Sequence, residues 1–405
     1  MKRQHGLEQH EQTRPSARVV ITLSALIAFG PMAINLYLPA FPSMALDLAT
    51  GIHQVELTLS AYMFGLGIGP LIIGPLSDRY GRLPILALGT TLFTFAAILC
   101  ATTNDIELLM AYRFIQAVGG SVAPIIARAT VRDIYQGRMA ASVLSLVQSV
   151  MLIAPVMAPI VGGYLLMWFD WRASFWMMAT YSTAVMILYW LLISESHPRD
   201  LRVRIADSFA GYWQFLKHRR AIGYTLTSSL GFGGMYGFFT EAPFVFIQLY
   251  GMSPENFGLL FGAFVIPTMV CGFINSKVVM HVELIHPLRF GIWASFASGT
   301  GLVLLVLAGM DSIVGLTIGL GIYFSVLGFI SVNAMSAALN EFPRFAGMAI
   351  AVFASFQYGV GGLTSATVGW LHDDTALPMV APLAFNSMLA LLALHLLVRP
   401  HAKTE

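Results

Sequence analysis

The sequence predicts an all-α polytopic membrane protein, with twelve transmembrane helices in two pseudo-symmetric six-helix bundles. Three observations predict it. Of the 405 residues, 57% are hydrophobic and only 10% are charged, against about 25% charged in soluble domains. The apolar residues fall into twelve stretches of about 20 residues, the length that spans a hydrocarbon core. The cations gather at alternate ends of those stretches, as the positive-inside rule requires.

The predicted spans are 18–41, 54–77, 84–103, 106–130, 140–168, 172–194, 221–248, 255–279, 288–310, 312–337, 344–370 and 376–398. A polar tail, 1–17, precedes them and a short tail, 399–405, follows. The charged segment 195–220 divides the spans into bundles at 18–194 and 221–398. Six spans on either side suggest an internal repeat. Residues 272–277 echo 74–79: the glycine recurs at Gly272 and the cation at Lys277, while Ser276 stands opposite Asp78.

With the N-terminus placed in the cytoplasm, 20 of the 22 cations fall on inner segments. Arg172 faces out and Arg113 lies within a span. Both termini are therefore expected to be cytoplasmic. The net charge of +2 points to no nucleic-acid partner. Cys100 and Cys271 lie in apolar stretches and read as free thiols. The tail Met1–Ala17 leads into an apolar run too long for a cleavable leader.

The loop from Gly74 to Pro84 holds Asp78, Arg79 and Arg82, with Gly74 and Gly81 around them. These charges cannot sit cheaply in hydrocarbon. The segment therefore reads as a tight turn pairing two antiparallel spans. Arg113 lies about seven residues into its span, roughly 10 Å below the outer surface at 1.5 Å per residue. Burying it costs several kcal/mol without a partner or a wet cavity, which marks it as functional. Gln116, Gly119 and Gly120 follow it. In the fifth span Pro155 and Pro159 remove two backbone donors and bend the helix, and Gly162 and Gly163 permit close packing.

Glu241 is the acid set well inside a span; Glu56 lies nearer an outer end. Counted along its helix, Glu241 is also roughly 10 Å deep, level with Asn35 and Arg113. An intramembrane acid is a functional candidate by default. His372, Asp373 and Asp374 read as a solvated outer loop, with no metal. The Gly65, Gly67 and Gly69 run reads as helix packing. No phosphate loop is present, so neither an enzyme nor an ATP-driven pump is expected, and no cofactor.

The pattern at Gly74, Asp78, Arg79, Gly81, Arg82 and Pro84 resembles the signature loop of the major facilitator superfamily. Arg113 with Gln116, followed by glycines, resembles its second signature, with Ala117 where a glycine is usual. Pro155, Pro159, Gly162 and Gly163 resemble the antiporter helix motif, with Ala158 in place of its first glycine. Tyr37 to Pro42, Arg132 to Tyr135, Pro159 to Gly163, Pro254 to Gly258, Ser331 to Met335 and Glu341 to Pro343 resemble the bicyclomycin and chloramphenicol resistance (Bcr/CflA) family over the whole chain.

That resemblance implies a proton-driven exporter of small amphipathic drug-like molecules, working by alternating access in the bacterial inner membrane. Its partners would be drugs, protons and the lipid bilayer, and it would act as a monomer. The resemblance also implies proton coupling through Arg113, and a latch role for the loop carrying Asp78, with Arg128 or Arg132 as partners. Cavity-lining spans would make Tyr37, Gln116, Tyr236 and Phe239 the substrate candidates. One departure matters: the family commonly has aspartate where this chain has Asn35, which cannot titrate. The titrating carboxylate is then expected at Glu241, in the repeat partner of the first span. A metabolite transporter, or a receptor without transport, stays open as another reading.

Overall fold

A computed structural model describes residues 16–196, 205–342 and 346–398. The predicted tails, apart from residues 16 and 17, lie outside these residues. So do 197–204 of the linker and the cations Arg199, Arg202, Arg204 and Arg344. Every described element is helical.

The first span is broken into α1 (Ala17–Ile27), α2 (Phe29–Asn35), a 3-10 turn (Leu38–Ala40) and α3 (Phe41–Asp47). Prolines cause the breaks. Pro31 has no N–H for the Ile27 carbonyl, and the axis bends by 42° beside it. Pro39 and Pro42 open the next two turns, where a missing donor costs nothing. Next come α4 (Ile52–Tyr80), α5 (Arg82–Thr102), α6 (Ile106–Gly120), α7 (Val122–Ile134), α8 (Gly137–Trp168) and α9 (Arg172–Leu192). Gly81 joins α4 to α5 at φ +102°, a backbone region that favours glycine. Arg172, the one cation predicted outside, pairs with Asp47 at 2.6 Å.

The linker region contains a helix that was expected only as a charged connector, α10 (Ile205–Lys217). Tyr212 on it donates to the Leu71 carbonyl of α4 at 3.3 Å, and Gly211 lies against Met348. The linker helix thus touches both halves of the chain. The second half runs α11 (Arg219–Pro243), a π turn (Phe244–Leu249), α12 (Pro254–Ala263), α13 (Val265–Val278), α14 (Ile285–Leu307), α15 (Ile313–Asn340), α16 (Ala346–Trp370) and α17 (Leu377–Leu397).

Among the described residues, ten helices are long and apolar enough to cross a membrane, and the bent pair at the start makes eleven. The predicted span at 221–248 is not among them. Its helix, α11, carries Thr225, Thr227, Ser228, Ser229 and Thr240, all fully buried, besides several glycines. It packs against α15, α16 and α17, so its polar side chains meet protein and not lipid. The two halves meet chiefly where α4 packs on α16 and α8 on α12.

Candidate functional site

Arg113 is fully buried within the first half. Its guanidinium lies between two rings, with centroids 4.2 Å away at Tyr37 and 4.0 Å at Tyr62. It donates to Gln116 Oε1 at 2.5 Å and to the Ala33 carbonyl at 3.0 Å. No acid is among these contacts. Instead, π faces and carbonyl dipoles surround the charge. The Ala33 carbonyl is available because the helix is broken after α2. Asn35 stands nearby in sequence, but its Nδ2 donates to the Pro31 carbonyl at 2.7 Å, and its Oδ1 is buried without a partner.

Glu241 sits elsewhere, in the second half. Helix α11 passes directly into the π turn after Pro243, so the helical run continues to Leu249. The turn after α16 folds back onto Glu241. Its His372 Nδ1 lies 2.7 Å from Glu241 Oε1, and its Nε2 lies 3.2 Å from Asp374 Oδ1. Asp374 adopts φ +60°, which aspartate tolerates better than most residues. Glu56, on α4, completes a group whose ligand atoms all lie within 4.8 Å of one another. Both glutamates are fully buried, and neither oxygen of Glu56 has a hydrogen-bond partner. Beside Glu56, the small Gly369 of α16 leaves room for Oε2, which a Cβ there would meet at 3.4 Å.

His372 is thus no solvated loop residue; its side chain is 12% exposed. Its hydrogen bond to Glu241 pushes its pKa above the usual 6.5, with Asp374 adding to the effect against the opposing cost of burial. Glu56, Glu241 and His372 are the described His and acid side chains close enough to share a cation. Both ring nitrogens of His372 already face carboxylates, however, so a metal would have to displace one of these contacts.

Beside the carboxylates lies a buried hydroxyl layer, with Ser60 one turn from Glu56 and Thr240 next to Glu241 in the chain. Ser60 donates to Ser365 at 2.8 Å, and Thr240 lies 2.7 Å from the same hydroxyl. Ser60 belongs to the first half and the other two to the second, so this layer also bridges the seam.

The expected substrate residues separate into two groups. Tyr37 and Gln116 pack on Arg113 in the first half. Tyr236 and Phe239 join rings of the second half: Tyr236 lies 6.1 Å from Tyr358, and Phe239 lies 4.7 Å from Phe261. None of these contacts joins one group to the other.

In the loop, Arg82 is the hub. It pairs with Asp78 at 2.6 Å and with Asp133 of α7 at 3.0 Å. Asp78 thus has an ion-pair partner inside the loop, and through Arg82 the pair extends to α7. Glu195 accepts from the backbone N–H groups of Arg82 and Leu83 at 2.9 and 3.1 Å, which satisfies orphan donors at the start of α5. Arg79 lies over the Tyr80 ring. Gly74 faces Tyr212 of the linker helix.

The glycines of α8 mark close approaches. A Cβ on Gly162 would collide with the Leu36 carbonyl at the break of the first span, and one on Gly163 would stand 2.7 Å from the Pro254 carbonyl of α12. Reciprocally, a Cβ on Gly258 would stand 2.5 Å from the Pro159 carbonyl. Pro155 and Pro159 lie inside α8. Proline at 159 leaves the carbonyl at 155 without its usual donor.

The model of the Major Facilitator Superfamily matches residues 23–366. A bicyclomycin resistance protein homolog from Haemophilus influenzae is 30% identical over 95% of this chain and 97% of its own. A chloramphenicol resistance protein from Pseudomonas aeruginosa is 30% identical over 90% of this chain and 87% of its own. Among solved structures, a peptide transporter in complex with sulfate superposes with TM-score 0.74 at 14% identity, covering 94% of each chain. The xylose transporter XylE from E. coli, in a partially occluded inward-open conformation, superposes with TM-score 0.71 at 14% identity over 96% of this chain and 98% of its own. At such identities these two matches speak for the fold alone. The chain is a multi-pass membrane transporter belonging to the major facilitator superfamily, within its bicyclomycin and chloramphenicol resistance (Bcr/CflA) family.

Proposed function

We propose that this protein is a proton-coupled exporter of small amphipathic drug-like molecules. It works by alternating access as a monomer in the bacterial inner membrane, with both termini cytoplasmic. The observation that carries the reading is Glu241, a fully buried carboxylate at the seam between the two halves. A buried acid whose surroundings change as the halves part changes its proton affinity with them. Asn35 cannot take that role, and Arg113 contributes a fixed positive charge in the first half. The names of the relatives, resistance proteins for bicyclomycin and chloramphenicol, support drugs as substrates.

In this scheme Glu241 takes its proton from outside, and the Ser60, Ser365 and Thr240 layer lies on its inward side. Tyr37 and Gln116 from one half and Tyr236 and Phe239 from the other would meet substrate as the halves rock. The 18–194 and 221–398 bundles are the moving bodies. The Gly74, Asp78, Arg79, Gly81 and Arg82 loop would latch the inner face, and Pro155, Pro159, Gly162 and Gly163 would form the seam opposite. Inside-out vesicles energised by respiration test the function: they should accumulate labelled chloramphenicol, and an uncoupler should abolish the accumulation. Absence of accumulation across a drug panel, or accumulation indifferent to the uncoupler, would contradict the proposal.

A further inference from the structure

The cluster around Glu241 has three properties beyond a lone proton carrier. It is built from both halves: Glu56 comes from α4, and Glu241, His372 and Asp374 from the second half. It is out of balance, because both oxygens of Glu56 and Glu241 Oε2 are buried with no hydrogen-bond donor. And the imidazole of His372 faces carboxylate oxygens at both ring nitrogens, 2.7 and 3.2 Å away. A neutral imidazole has one donor only, so it would turn a lone pair toward one of these oxygens. Only the doubly protonated ring donates to both.

With His372 charged, Glu241 and the exposed Asp374 serve as its anionic partners. Glu56 is then left as a second buried carboxylate facing Glu241, and two such groups cannot both stay ionised cheaply. A proton on Glu56 removes the repulsion and supplies the donor that Glu241 Oε2 lacks. Other titratable groups on the elements packed here do not offer that donor. His53 on α4 is exposed, Asp373 accepts from Thr375, and Asp47 on α3 pairs with Arg172.

We infer that Glu56 is a second proton-binding residue of the transporter, and that a proton held between Glu56 and Glu241 latches the outer face shut across the two halves. The inference rests on the transporter reading above and adds a residue and a direction to it. When the halves part on this side, the carboxylates separate into water and the shared proton leaves. Low outside pH therefore closes the outer face, and rising pH opens it. Each proton bound on closure changes the closed-to-open ratio by up to about tenfold per pH unit.

The test is a distance measured across the outer face by pulsed electron paramagnetic resonance, in the full chain reconstituted in nanodiscs with a chelator present. Spin labels go on Glu107→Cys and Val314→Cys, at the starts of α6 and α15, in a background with Cys100→Ser and Cys271→Ser. In the background with native Glu56 the short distance should dominate at pH 5 and give way to the long one by pH 8. Glu56→Gln, which supplies a permanent neutral donor, should hold the short distance at both. Glu56→Asp should keep the pH response, and it serves if the glutamine variant does not fold. A distance insensitive to pH with native Glu56 overturns the inference. So does a Glu56→Gln response equal to that with native Glu56, or closure that, in a parallel sample without chelator, follows added zinc instead of protons. Drug-evoked proton release, measured in parallel, separates the two readings. Release without pH-dependent distances removes the latch only. A pH response without release removes the exporter and keeps the latch.

Discussion

Glu56 and Glu241, fully buried and drawn from opposite halves of the chain, face one another within 4.8 Å. Their contact lasts only while the halves meet on that side. Under the proposed latch, a change in the charge between them alters which face of the transporter is open.

His372 gives this relationship a pH signature. Its pKa is raised by its hydrogen bond to Glu241. A raised value means that the folded form holds the proton more tightly. The stabilisation is fully present below the ordinary 6.5 and is lost as pH rises through the raised value. Thermal unfolding of wild type and His372→Gln should therefore differ most near pH 6, and the gap should close toward alkaline pH. A gap that is constant with pH would contradict the protonated pair.

Gly163 tests the seam between α8 and α12. An added Cβ would stand 2.7 Å from the Pro254 carbonyl, and such overpacking costs about 1–3 kcal/mol. The cost applies only while the two halves touch there. Gly163→Ala should shift the population away from the outer-closed form by roughly 5- to 150-fold, readable with the same spin-label pair. An unchanged distance distribution would show that the seam yields without cost.

Arg82 and its partners should not contribute equally. The Arg82 side chain is 7% exposed, that of Asp133 17% and that of Asp78 42%. Asp133→Asn should lower stability by about 1–3 kcal/mol, and Asp78→Asn by less than about 1 kcal/mol, because water screens the latter. Thermal unfolding of the two variants in one detergent would settle the order, and a larger loss from Asp78→Asn would reverse this account of the hub.

Arg113→Lys should fold but transport poorly. Lysine lacks the planar fork that reaches Gln116 and Ala33 together, and it stacks less well between Tyr37 and Tyr62. A desolvated cation–π contact is worth about 2 kcal/mol, so drug accumulation should fall by more than about tenfold. Accumulation at the wild-type rate would mean that only the charge matters.

The spans were legible because a hydrocarbon core demands long apolar runs; the break in the first span was not read, although Pro31, Pro39 and Pro42 carry its signal. Glu241 was legible as an acid in such a run. Its partners were not. Counting residues measures depth along one helix and says nothing of which elements pack against it. Nor can a linear count show that the turn holding His372 folds back onto Glu241. The linker helix Ile205–Lys217 had a signal in the spacing of Phe209, Tyr212, Trp213 and Leu216, but the charges around it dominated the reading. The grouping of Tyr37 and Gln116 apart from Tyr236 and Phe239 is a matter of side-chain direction, which span boundaries alone do not set.

The most direct measurement uses inside-out vesicles energised by respiration, with a pH-sensitive dye reporting the acid interior. Addition of a transported drug should release protons from wild-type vesicles and leave those carrying Glu241→Gln silent, although the variant is inserted at equal abundance. Equal release from both would contradict the assignment of proton coupling to Glu241.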